Sequence, residues 1–98
     1  MKEGIRIGEL VQSLAGHDKG EFFLVIRREG EFLYLADGKR RKTNSCKKKK
    51  EKHLLGLGKI CPWVESQPER VNNTSVRRAL KTLRNEENDT NAMTEEVN

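Results

Sequence analysis

The sequence predicts a small all-β protein. A barrel of about five short strands fills residues 1–60, and residues 61–98 hold a linker, a short helix near 75–84 and a disordered acidic tail. Three observations carry this. Apolar runs in the first sixty residues are at most five long and rich in aromatic and β-branched residues, which favours strands over helices. Glycines separate them at regular spacing, as in small barrels. The one helical period comes late: Val76, Ala79, Leu80 and Leu83 fall at i, i+3, i+4 and i+7.

Leu10-Val11-Gln12-Ser13 reads as the first strand, and Gly16-His17-Asp18-Lys19-Gly20 as a charged loop held between two glycines. Phe22-Phe23-Leu24-Val25-Ile26 is the second strand. Glu29-Gly30 then sits where a two-residue hairpin turn belongs, ahead of Phe32-Leu33-Tyr34-Leu35. Asp37-Gly38 is the dipeptide a type I′ turn prefers, and Lys39-Arg40-Arg41-Lys42-Thr43 is the expected start of a fourth strand. Leu54, Leu55 and Leu57 mark the closing strand, and closure removes exposed sheet edges. Pro62 and Pro68 fall in an aperiodic linker, which Trp63 is expected to pin to the barrel. Thr74 or Ser75 can cap the helix by accepting from its first free N–H groups. Residues 85–98 are polar and acidic without an apolar pattern, the composition of a disordered tail.

Charge divides along the chain. Residues 1–60 carry 15 basic and 8 acidic side chains; residues 61–98 carry 5 and 7. A basic body suggests a polyanionic partner. The chain has 98 residues, 34% of them hydrophobic, which rules out a multidomain enzyme with a deep cleft. No run approaches the ~18 apolar residues of a membrane span, and the N-terminus has no apolar signal core. A cytoplasmic, monomeric protein without membrane contact is the expectation. Cys46 and Cys61 are then expected as free thiols. With His53 they lack the paired spacing of a zinc site, so neither metal nor cofactor is expected. No phosphate-binding loop and no His-carboxylate-nucleophile set appears, so an enzyme is not expected.

The run from Gly8 to Ile26 resembles the KOW motif of ribosomal proteins and transcription elongation factors. Its parts are Gly8, the short strand Leu10-Val11, Ala15-Gly16, the basic-Gly pair Lys19-Gly20, and the apolar strand Phe22 to Ile26. With Leu35-Ala36-Asp37-Gly38-Lys39-Arg40-Arg41-Lys42 and Lys52-His53-Leu54, the chain resembles a family of small bacterial KOW-domain RNA-binding proteins. These are similar to the archaeal and eukaryotic large-subunit ribosomal protein family numbered fourteen. The resemblance covers about residues 5–56 and implies an SH3-like barrel, RNA binding and a role in a ribonucleoprotein of translation, possible partners being ribosomal RNA and the large ribosomal subunit. In that family the segment after Lys42 contains proline, whereas Thr43-Asn44-Ser45-Cys46 has none.

The residues point the same way. Lys39, Arg40, Arg41, Lys42, Lys47, Lys48, Lys49, Lys50 and Lys52 put nine basic side chains against one acid, Glu51. Such density repels itself unless counter-ions or phosphates lie against it, and phosphate contacts give affinity by releasing condensed cations. Lys39 to Lys42 and Lys47 to Lys50 are therefore the candidate RNA contacts, with Lys19 a further phosphate contact. His17 either touches a base or phosphate, or bonds its own loop; Asp18 is expected to be structural. Phe22, Phe23 and Phe32 are assigned to the core before base stacking, and Tyr34 stands between the two. Two other classes fit the pattern: an SH3-like protein-interaction module, and a transcription-associated nucleic-acid binder.

Overall fold

The computed structural model describes residues 4–85. Five strands form one antiparallel sheet: β1 (Glu9–Ser13), β2 (Phe22–Glu29), β3 (Phe32–Ala36), β4 (Lys47–Lys50) and β5 (Leu54–Ile60), in the order β4-β3-β2-β1-β5. A 3-10 turn, Glu51–His53, joins β4 to β5. Two helices follow, α1 (Pro62–Ser66) and α2 (Asn73–Asn85).

The sheet curls without closing, a correction to the closed barrel: β4 and β5 are its two edges and do not pair with each other. Side chains bridge part of the opening, since Lys49 Nζ donates to the Ala15 carbonyl at 2.7 Å across from the end of β1. The edge at β4 is four lysines, and a row of charge blocks pairing with another chain.

Two apolar clusters lie on the two faces of the sheet. Val11, Phe23, Val25, Leu33, Leu35 and Leu54 fill the concave face. Leu10, Leu24 and Ala36 point to the outer face, where Val76, Ala79, Leu80 and Leu83 of α2 and Val64 of α1 cover them. This is why β1 is buried on both faces and why its neighbour β2 begins as an unbroken apolar run. A bulge at Ile26, between the pairs Val25↔Leu35 and Arg27↔Tyr34, resets which side chains of β2 face outward.

The turns differ from expectation by small shifts with clear causes. Glu29 pairs with Phe32, so the hairpin turn is Gly30-Glu31, and Gly30 at φ 59° supplies the positive first position of a type II′ turn. Asp37 has no positive φ, which excludes type I′ there. Instead Asp37 Oδ1 accepts from the backbone N–H groups of Lys39 and Arg41, both at 2.8 Å, and folds residues 37–42 into a compact loop. The fourth strand is consequently Lys47–Lys50, and not residues 39–43. A 3-10 turn, Thr43–Ser45, fills the proline-free segment.

The linker holds α1 and a 3-10 turn, Pro68–Arg70. Val64, fully buried, anchors it, whereas Trp63, expected in that role, is 43% exposed. The cap of α2 is Asn72, whose Oδ1 accepts from Ser75 N–H at 2.9 Å while Ser75 Oγ accepts from Asn72 N–H at 2.9 Å. That reciprocal pair starts the helix two residues earlier than expected. The tail assigned to disorder begins with Asn85, which closes α2; from residue 86 on it lies outside the described residues.

Candidate nucleic-acid interface

The four lysines of β4 are divided by strand alternation. Lys47 and Lys49 pair with Leu35 and Leu33 and share their concave face; Lys48 and Lys50 pair with Tyr34 and Phe32 on the outer face. The inward pair is held by Asp18, which lies in the glycine loop. Lys49 Nζ donates to Asp18 Oδ1 at 2.9 Å, and Lys47 Nζ lies 3.1 Å from Oδ2 in an ion pair that misses hydrogen-bond geometry. Ser13 Oγ donates to Oδ1 at 2.7 Å. Burial opposes ionisation of Asp18, but the Ser13 hydroxyl and the two ammonium groups outweigh it and hold the carboxyl well below the usual carboxylate range. Lys49 and Asp18 side chains are only 10% and 11% exposed. Lys47 and Lys49 thus spend their charge on the fold.

The loop over residues 37–42 is fixed against α2. Arg77 Nη1 donates to the Gly38 carbonyl at 2.7 Å, and Thr43 N–H donates to Asn73 Oδ1 at 2.8 Å. A Cβ on Gly38 would lie 2.5 Å from the Asn73 carbonyl oxygen, and its φ is 80°, so only glycine fits both the conformation and the approach. This docking brings Lys39 beside the basic side of the helix. Between them runs an open groove of about 960 Å³, lined by Lys39, Arg77, Lys81 and Arg84 together with Gly20, Glu21, Phe22, Asp37 and Leu80. The two acids are engaged: Glu21 pairs with Arg40 at 2.9 Å, and Asp37 holds its own loop. Arg84 stacks over the Phe22 ring at 4.5 Å.

Of the residues expected to contact RNA, Lys39 lines this groove and Arg40, Arg41 and Lys42 are exposed on the loop beside it. His17 and Lys19 are exposed on the glycine loop, next to Gly20 at the groove's edge. Asp18 ties the loop to its neighbours, to Ser13 of β1 and to Lys49 of β4. Lys48 and Lys50 lie apart, over the rings of Phe32 and Tyr34. The sequence reading put Arg77, Lys81 and Arg84 on the polar faces of a helix that could dock on the barrel or give a second basic surface, and left them out of the expected RNA contacts. Their spacing at i, i+4 and i+7 on one helix side is legible, but its alignment with Lys39 depends on the Gly38 contact.

Cys46 is half-buried and Cys61 buried, both as free thiols. Among the described residues no three His, Cys, Asp or Glu side chains converge as metal ligands, and no helix is long and apolar enough to cross a membrane. Known protein-family models give no match to the chain, and neither do the curated proteins.

Proposed function

We propose that this chain is an RNA-binding protein on an SH3-like barrel, which grips structured RNA, ribosomal or ribosome-associated, by its phosphate backbone. The observation that carries the reading is the convergence of Lys39, Arg77, Lys81 and Arg84 on one groove whose two acids are engaged, Glu21 by Arg40 and Asp37 by the backbone of its own loop. Cations held on an ordered helix and a docked loop lose little side-chain freedom on meeting phosphates, and Arg adds bidentate contacts. Structured RNA suits such a groove, because paired RNA is recognised by shape and backbone more than by base edges. The strand order, with a 3-10 turn between β4 and β5, supports the SH3-like assignment, as does the KOW-like run from Gly8 to Ile26 around the Gly16 and Gly20 loop.

The test is fluorescence anisotropy with a labelled RNA stem-loop. Lys39→Gln with Lys81→Gln should weaken binding about tenfold at moderate salt. Lys52→Gln with Arg70→Gln removes the same charge from exposed positions off the groove and should leave affinity within about twofold. Equal losses in the two double variants would mean that net charge alone attracts RNA, and the groove assignment would fall.

A further inference from the structure

The outer face of the sheet continues beyond the part that the helices cover. Leu24 and Ala36 lie under α2, but Phe32 and Tyr34, on the same face of β3, belong to neither core cluster. This corrects the assignment of Phe32 to the core. Around the two rings the register builds a grid. Arg27, Tyr34 and Lys48 form one row across β2, β3 and β4; Glu29, Phe32 and Lys50 form the next. Arg27 lies 4.4 Å from the Tyr34 ring centre, and Lys48 4.7 Å from that of Phe32.

We propose that this grid binds unpaired RNA nucleotides, with bases stacked on Phe32 and Tyr34 and phosphates held by Lys48 and Lys50. The inference rests on the RNA-binding reading above and adds a second contact of different chemistry. Aromatic faces flanked by cations suit a ligand that alternates flat apolar rings with negative charge, and single-stranded RNA is such a ligand. Lys48 and Arg27 cover the rings on flexible stems. When a base takes their place, Lys48 exchanges its cation–π contact for a charge-assisted hydrogen bond to phosphate, while Arg27 stays on Glu29. Glu29 orients the strand. Its carboxylate accepts from the Tyr34 hydroxyl at 2.7 Å and from Arg27 at 2.5 Å, and its charge repels phosphate from the β2 side. The backbone is thereby directed along β4. Phe22, in the groove, and Arg27, in the grid, are five residues apart on β2, roughly 16 Å at strand rise. One RNA can therefore present a paired stem to the groove and an unpaired loop to the grid.

The experiment compares two probes, a ten-nucleotide oligouridine and a fully paired RNA duplex. Phe32→Leu with Tyr34→Leu keeps apolar bulk on the strand and removes both aromatic faces. It should weaken oligouridine binding about tenfold and leave duplex binding within about twofold. In the wild-type protein, oligouridine should shift the ring-proton resonances of Phe32 and Tyr34. The proposal is overturned if the double variant binds oligouridine like wild type, if the ring resonances stay put, or if wild type binds duplex but not oligouridine. If wild type binds neither probe, the RNA-binding reading fails and this inference with it.

Discussion

Asp18 shows how much one side chain settles. Its carboxylate joins the glycine loop to β1 through Ser13 and to β4 through Lys47 and Lys49. Asp18→Asn leaves two largely buried ammonium groups without their counter-charge, so we expect a loss of about 3 kcal/mol in chemical unfolding. The same contact sets an acid limit. A carboxyl held below its ordinary value of 3.8 contributes its full stability above that pH and loses it as the pH falls from there through the folded value. Wild-type stability should therefore decline below about pH 4 more steeply than that of Asp18→Asn, by thermal unfolding in acid. Gly20 is a simpler case. Its φ is 92° and nothing lies within 4 Å of where a Cβ would stand, so Gly20→Val tests the backbone conformation without a Cβ clash. It should cost about 1–3 kcal/mol, and an unchanged thermal midpoint would contradict the loop geometry. Asp18 was legible as a structural loop residue, because Asp in a tight loop finds local partners. Its lysine partners were not, since they arrive from about thirty positions along the chain, through the strand pairing.

At the level of elements, strands whose apolar residues face a core could be read directly: β1, β2, β3 and β5 stand where short apolar runs predict them. β4 could not. Four lysines carry no hydrophobic period, and they form a strand because β3 offers a free edge and the Asp18 carboxylate, shared by the inward pair, cancels one of their two charges. Residues 39–43, which look like a strand, are instead folded back by Asp37. The late helix was legible from its apolar period, whereas its first turn depended on the Asn72 and Ser75 exchange. The loop-to-helix docking has its own test. Gly38→Ala forces a methyl group into the Asn73 carbonyl and an unfavourable positive φ, and should destabilise the fold by about 2 kcal/mol or more. Stem-loop affinity should fall as well, because Lys39 is carried away from α2; Gly38→Ala binding RNA like wild type would mean that the docking does not assemble the site.

Across the whole molecule, charge is sorted by depth and by partner. The basic body was legible as a total. Which cations point outward together was not, because β4 divides its lysines between two faces and α2 brings Arg77, Lys81 and Arg84 from the less basic part of the chain to meet Lys39. The proposed RNA site is therefore a groove lined by four cations, and not the densest run of lysine in the sequence. The most direct measurement is stem-loop RNA affinity over a range of monovalent salt, for wild type, for Lys39→Gln with Lys81→Gln, and for Lys47→Gln with Lys49→Gln assayed below its unfolding midpoint. Log affinity should fall linearly with log salt, with a wild-type slope of roughly −3 to −4 for about four phosphate contacts. The slope should become shallower by about 1.5 in the groove variant and by clearly less in the Lys47 and Lys49 variant, whose ammonium groups share the Asp18 carboxylate on the concave face, off the groove. A salt-independent affinity, or a slope that falls equally in both variants, would contradict the account.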